Sequence, residues 1–209
     1  MYRLFIKRNA EKLIFVFAVA AASLAAGVVF CHMRVDEQLR LQRHLADEIL
    51  RFHVIANSDS DRDQELKLKV RDAVLDYFAE EMPESADASQ AGSWAREHTD
   101  EIETVSRDVL ASSGSDDVVN AAVTTCFFPD RTYGDLTFPA GNYEALRVEI
   151  GEAEGQNWWC VLYPNLCFLD STNAVVPDEG KKKLKNVLTE EEYSSITAES
   201  EFRIGWFFW

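Results

Sequence analysis

The residues whose types could do chemistry are scattered along the chain, and their spacings match no common catalytic or metal-binding motif. The four histidines lie at positions 32, 44, 53 and 98, and no HExxH, paired CxxC, GxSxG, P-loop or GxGxxG pattern occurs. Zinc ligands and activated nucleophiles need such spacing to converge on one atom. We therefore expect no catalytic residue, no metal and no cofactor.

The most suggestive polar side chains surround His53. Segment 49–57 alternates in hydrophobicity, and its apolar face consists of Leu50, Phe52, Val54 and Ala56. This alternation predicts a strand with one face in the core. His53 and Asn57 share the opposite face, and Ser58 follows. Two interpretations stay open: a hydrogen-bonded histidine with a helix-capping asparagine, or a small polar binding surface at the end of a strand.

A second candidate surface involves Trp158 and Trp159, which are adjacent in a segment with strand character. Because side chains alternate along a strand, one indole must face away from the other. Either both faces of that strand are covered, or one tryptophan is exposed for recognition, where tryptophan is over-represented. Arg147, within the alternating segment 144–150, is a third candidate contact.

Cysteine spacing suggests an oxidising location. Cys160 and Cys167 flank a Pro-containing loop that could fold back and bring the two sulfurs together. We expect a disulfide here, which would stabilise the fold by about 2–3 kcal/mol. The alternative is two buried thiols. Cys126 has no obvious partner.

An apolar segment near the N-terminus indicates export. Residues Leu13 to Phe30 contain no charge, and four basic residues against one acidic residue precede them. Eighteen residues just span a bilayer core, and the basic flank orients them with the N-terminus in the cytoplasm. The segment is either a cleaved signal peptide or an uncleaved anchor. Cys31 is preceded by the bulky Phe30, which argues against lipidation.

The charge of the rest of the chain excludes one class of partner. The whole chain has a formal net charge of −15, and without its first twelve residues it has 17 basic and 35 acidic residues, a net charge of −18. So acidic a body repels phosphate backbones, and we expect no nucleic-acid binding.

Periodicity predicts the elements that position these residues. We expect helices from about Val35 to Ile49, from Ser60 to about Met82, from Trp94 to Ala111 and from Glu179 to Ile196. We expect strands at 49–57, 118–128, 144–150 and 158–163, the last two forming a hairpin, and a final aromatic strand at 202–209. Residues 83–93 have the composition of a linker.

These elements predict an α+β fold: a single domain with a mixed or antiparallel sheet of about four to five strands packed with helices, preceded by an N-terminal hydrophobic helix. The expected organisation is a signal peptide or anchor at 1–31, a juxtamembrane helix or linker at 32–48 and an exported globular domain at 49–209.

Two blocks of sequence resemble the stage II sporulation protein R family. The first reads FHVIANSDS at 52–60 and continues as DQELKLKVRD at 63–72. The second reads YEALRV at 143–148 and GQNWWCVLYPNLCF at 155–168. The resemblance covers roughly residues 48–170. Ala153 stands where the family often has Gly, and Asn165 where a second Pro is usual.

The resemblance implies a signalling protein of sporulation, exported from the forespore into the space between the two membranes. There it would activate a membrane-embedded aspartic peptidase that processes pro-sigma-E, without a small-molecule substrate. From their expected positions at the protein surface, we predict that six residues face this partner: His53, Asn57, Ser58, Arg147, Trp158 and Trp159. The alternatives are an extracytoplasmic hydrolase using His53 with a carboxylate, and a membrane-anchored scaffold.

Overall fold

The structure is a computed structural model that describes residues 2–83, 87–164, 166–167 and 178–198. Six helices and six strands are present in this part of the chain. The helices are α1 (Tyr2–Glu48), α2 (Asp61–Glu81), α3 (Ala88–Glu97), α4 (Thr99–Ser112), α5 (Asp178–Val187) and α6 (Glu190–Ala198). The strands are β1 (Leu50–Ile55), β2 (Val119–Phe128), β3 (Arg131–Tyr133), β4 (Leu136–Phe138), β5 (Gly141–Ile150) and β6 (Asn157–Tyr163).

The first helix carries the apolar segment. It is continuous from Tyr2 to Glu48 and is long and apolar enough to cross a membrane; none of its most apolar window is buried within the protein. This helix is compatible with either a signal peptide or an anchor. The chain divides into two compact units, Met1–Leu41 and Gln42–Trp209, so the boundary falls inside α1.

The second unit contains a four-stranded mixed sheet with the order β2-β5-β1-β6. Strand β1 lies between β5, to which it runs parallel, and β6, to which it runs antiparallel. Helices α2, α3 and α4 cover one face, where Phe52 and Val54 are wholly buried with apolar residues of the other strands. The predicted α+β class and the hydrophobic N-terminal helix are confirmed.

The prediction that β5 and β6 form a hairpin is wrong, because β1 separates them. The connecting loop crosses the end of β1 and is held there by backbone hydrogen bonds from Gly155 to Ala56 (2.9 Å) and from Glu154 to Asn57 (3.2 Å). Hairpin signals are local, whereas this strand order depends on where a distant strand inserts.

Two predicted helices are each divided in two. Helix α3 begins at Ala88, within the predicted linker, because Asp87 and Gln90 form a reciprocal capping box. It ends at Glu97, so the predicted helix over 94–111 is divided between α3 and α4. The predicted helix over 179–196 breaks near Thr189, whose hydroxyl accepts from the Glu192 backbone (3.2 Å) while the Glu192 carboxylate accepts from the Thr189 backbone (2.9 Å). The predicted strand at 202–209 lies outside the described residues.

The other face of the sheet is covered partly by a small hairpin that the sequence pattern did not reveal. Strands β3 and β4 pair with each other and place Tyr133 and Phe138 over the start of β1. As a result every residue of β1 is buried, including the polar residues that were expected on an open face.

Candidate functional site

Three of the six predicted partner-facing residues lie side by side across the sheet. On the face opposite helices α2–α4, His53 of β1 is the register partner of Arg147 on β5 and of Trp159 on β6. We call these three residues the polar row. The sheet therefore places His53 beside two residues that lie more than 90 positions further along the chain.

His53 is the centre of the polar row, but it is not a surface residue. Only 4 % of it is exposed, which corrects the expectation of an open binding surface. Its ring stacks on Trp159 with 4.9 Å between centroids and 12° between planes. The ring centroid of Phe128 lies 5.5 Å from that of His53. His53 itself therefore offers little accessible surface for direct contact.

A thiol adjoins the imidazole. The Sγ atom of Cys126, on β2, lies 3.6 Å from Nε2 of His53. Burial, with the charges of Arg147 and Arg51, lowers the pKa of His53 to about 4. Burial also raises the pKa of Cys126. Both groups are thus neutral near pH 7, and the pair lacks the thiolate that a cysteine nucleophile requires.

The sequence interpretation missed Arg51, which lies two residues before His53 on the same face. It is 0 % exposed and is surrounded by four aromatic rings. The guanidinium carbon lies 4.4 Å from the ring centroid of Phe128 and 5.2 Å from that of Tyr143. Its Nη2 atom donates to the Tyr133 hydroxyl at 3.4 Å, and Nε and Nη1 have no acceptor among the described residues.

These contacts indicate that ring faces balance the charge of Arg51, since cation–π attraction strengthens where water is excluded. The alternation of Arg51 and His53 with apolar residues predicts a solvent-facing side of β1, so no signal within β1 could have shown that this face is covered. The four rings that cover Arg51 come from Phe128, Tyr133, Phe138 and Tyr143.

Arg147 is the charged member of the polar row. Its side chain is 40 % exposed and pairs with Glu149, two residues along the same face of β5. A paired and partly exposed charge is worth little to stability, which leaves this position available for contact.

Asn57 and Ser58 lie apart from the polar row, at the end of β1. Asn57 donates to the Asp63 carboxylate at 3.1 Å, and Ser58 donates to it at 2.5 Å. The bond from Ser58 is the main reason that the pKa of Asp63 is lowered. The side-chain oxygen of Asn57 accepts from the Glu152 backbone at 2.9 Å. These bonds fasten the start of α2 to the β5–β6 loop, but Asn57 is not the predicted helix cap, because the N-cap of α2 is Ser60.

Helix α2 begins at a side-chain cap, at the position where the sequence predicts the helix start. Ser60 is the N-cap and accepts from the Asp63 backbone at 3.1 Å. The Asp63 carboxylate, however, binds Asn57 and Ser58 instead of turning back to Ser60. The cap therefore extends into the turn before the helix.

Trp158 faces the opposite side of the sheet from Trp159, as alternation requires. It packs edge-on to Phe52, 5.7 Å between centroids, and the guanidinium of Arg71 lies 5.1 Å from its ring. Both tryptophans are half-buried, so both faces of β6 are covered. The predicted set thus divides into the polar row, the Asn57–Ser58 turn and Trp158.

Cys160 and Cys167 are both buried, and the structure contains them as unbonded thiols. The Cys167 thiol donates to the Val161 carbonyl at 3.0 Å. Burial raises the pKa of Cys167, and the neighbouring Cys160 raises it further. The fold brings the two residues together, as the spacing suggested, while the disulfide itself stays a prediction.

The arrangement supports contact better than chemistry. In the part of the chain that the structure describes, no carboxylate hydrogen-bonds to His53, and no group of three or more His, Cys, Asp or Glu side chains could hold a metal ion. The constellation that a His53-dependent hydrolase would need is not assembled by these residues.

Comparisons with known proteins agree with the two sequence blocks. The family model for stage II sporulation protein R matches residues 46–173. The chain is also 34 % identical over 158 residues to stage II sporulation protein R of Bacillus subtilis (strain 168), covering 75 % of this chain and 70 % of that protein. No solved structure matches. The chain belongs to the stage II sporulation protein R family and has a role in sporulation.

Proposed function

We propose that this protein is an exported signal that activates a membrane-embedded aspartic peptidase, which then processes pro-sigma-E. The observation that carries the proposal is a long apolar helix with a basic flank directly before a domain of this sporulation family. The helix delivers the acidic domain across the forespore membrane, and the domain acts in the intermembrane space by binding its receptor.

The distribution of charge supports this direction of transfer. The four basic residues of the first twelve stay on the cytoplasmic side, whereas the remaining chain carries a net charge of −18. The signal works as a ligand does: it shifts the receptor's equilibrium by binding the active state more tightly than the inactive state.

Reconstitution tests the proposal. The full chain, the peptidase and pro-sigma-E are produced together in cells that lack the other sporulation proteins, and pro-sigma-E cleavage is followed by immunoblot. We expect cleavage only when the chain and the peptidase are both present. Cleavage by the peptidase alone, or no cleavage with all three present, would refute the proposal.

A further inference from the structure

Strand β2 forms one edge of the sheet and has an unusual composition. Its ten residues, VNAAVTTCFF, include no charge and no proline, in a chain of which 27 % of residues are charged. Among the described residues, no strand pairs with its outer side. Natural edge strands are usually protected by charges, prolines or bulges, because their unpaired backbone groups recruit other strands.

One hydrogen bond shows which backbone groups of β2 point outward. The Ala121 backbone N–H donates to the Glu103 carboxylate of α4, at 3.0 Å, and not to β5. In an antiparallel pair, alternate residues face the partner strand and the free side. Val123, Thr125 and Phe127 therefore present their N–H and C=O groups to the same free side as Ala121.

Glu103 closes one end of this edge and leaves the other open. Its second oxygen pairs with Arg107 at 3.1 Å, which holds the carboxylate over Ala121. No comparable side chain caps the segment Val123–Phe127 in the described chain, and we call this segment the open edge. Phe127 is 62 % exposed, a large apolar side chain next to unpaired backbone.

All three charged residues of the neighbouring strand β5 form ion pairs. Glu144, the register partner of Thr125, pairs with Arg96 of α3, and Arg147 pairs with Glu149 on the other face. The open edge is thus a locally neutral strip on a strongly acidic protein. Such a strip suits an uncharged partner strand and does not suit an acidic one.

We propose that the open edge binds an extended segment of the receptor, which joins the sheet as a fifth strand beside β2. This inference rests on the proposed function and adds the docking surface to it. The receptor segment supplies backbone hydrogen bonds to Val123, Thr125 and Phe127, and an apolar side chain that covers Phe127. Main-chain bonds give affinity in such complexes, and side chains on alternate positions give specificity.

A second copy of this chain is the less suitable occupant. Each copy carries a net charge of −15, so pairing two copies brings like charges together. A two-fold pair that extends beyond the open edge would also meet Glu103, which already occupies the Ala121 donor. A receptor segment needs only the open half of the strand and meets Glu103 at most at its end.

The test uses the full chain in detergent micelles with the purified receptor. Thr125→Pro removes an outward N–H at an exposed edge position, where proline is tolerated in sheets. Thr125→Val is the matched control, because it changes the side chain and keeps the backbone donor. We expect Thr125→Pro to weaken receptor binding at least tenfold and to reduce pro-sigma-E cleavage in the reconstituted cells, while Thr125→Val, which keeps the donor, should weaken binding much less.

Hydrogen exchange on the wild-type complex keeps the proposal testable if Thr125→Pro fails to fold. The amides of Val123, Thr125 and Phe127 should become protected on binding, whereas those of Thr124 and Cys126 are protected beforehand by β5. Unchanged exchange at all three outward amides would overturn the docking surface, as would full activity of a folded Thr125→Pro protein. A wild-type dimer that Thr125→Pro dissociates would assign the edge to a second copy instead.

The proposed function and the docking surface can be refuted independently. A wild-type chain that neither binds the receptor nor triggers cleavage refutes the proposed function. A wild-type chain that does both, together with a folded Thr125→Pro variant that does so equally well, refutes only the docking surface.

Discussion

The imidazole of His53 lies flat against the indole of Trp159, 4.9 Å from centroid to centroid. The stack joins the centre of the sheet to its β6 edge and screens the histidine from water. Trp159 itself is half-buried.

We expect Trp159→Ala to destabilise the domain by about 2–3 kcal/mol, because the substitution removes the stack and leaves a gap over His53. Trp159→Phe, which keeps an aromatic ring, should lose less than half of that. Chemical denaturation measures both. Equal stability of the wild type and Trp159→Ala would show that the stack does not contribute.

The depressed pKa of His53 predicts a pH-dependent loss of stability. Unfolding returns the pKa of His53 from about 4 to its ordinary value of 6.5. Between these two pH values the unfolded state therefore binds more protons than the folded state. His53 therefore contributes its full stability above pH 6.5, and this contribution falls as the pH is lowered to 4. The loss amounts to at most about 3 kcal/mol.

The control for this effect is His53→Gln, which cannot titrate. Denaturation midpoints of both proteins between pH 7 and pH 4 separate the histidine from the many carboxylates. The wild type should lose more stability than His53→Gln over this interval. Parallel curves would mean that the histidine is not buried as described.

The ring environment of Arg51 predicts an unusual order of substitutions. Arg51→Lys keeps the charge but replaces a planar cation with a more strongly hydrated one, and we expect a loss of about 2–4 kcal/mol. Arg51→Met fills the same space without a charge and should lose less. A denaturation series in which Lys is tolerated and Met is not would show that an anion, and not the four rings, balances the guanidinium.

Ala153 occupies a backbone conformation that favours glycine, with φ at +54° in the β5–β6 loop. Ala153→Gly should therefore stabilise the domain by about 0.5–1 kcal/mol, since the left-handed region is costly for a side chain. Ala145→Gly, in the buried middle of β5, is the control and should destabilise; a loss in both proteins would contradict the loop conformation.

The parts of the fold that local signals determine could be predicted from the sequence. The hydrophobic helix, β1, β2 and the Ser60 cap depend on residues within a few positions of one another. The α+β class followed from the same periodicities. Alternation likewise placed Trp158 and Trp159 on opposite faces, whatever their neighbours.

The composition of the candidate site could not be predicted, because its contacts join distant positions. His53 meets Cys126 from 73 residues away, and Arg51 meets Tyr133 from 82 residues away. Whether these polar residues are open or covered depends on the β3–β4 hairpin and on the insertion of β1 between β5 and β6. No periodicity within β1 carries that information.

The most direct measurement is whether the domain must cross the membrane to act. In the reconstituted cells, the wild-type chain is compared with a chain lacking residues 2–31 and with one in which an unrelated export signal replaces those residues. We predict pro-sigma-E cleavage with the wild type and the replaced signal, and none with the shortened chain. Full cleavage by a shortened chain that stays in the cytosol would contradict the account.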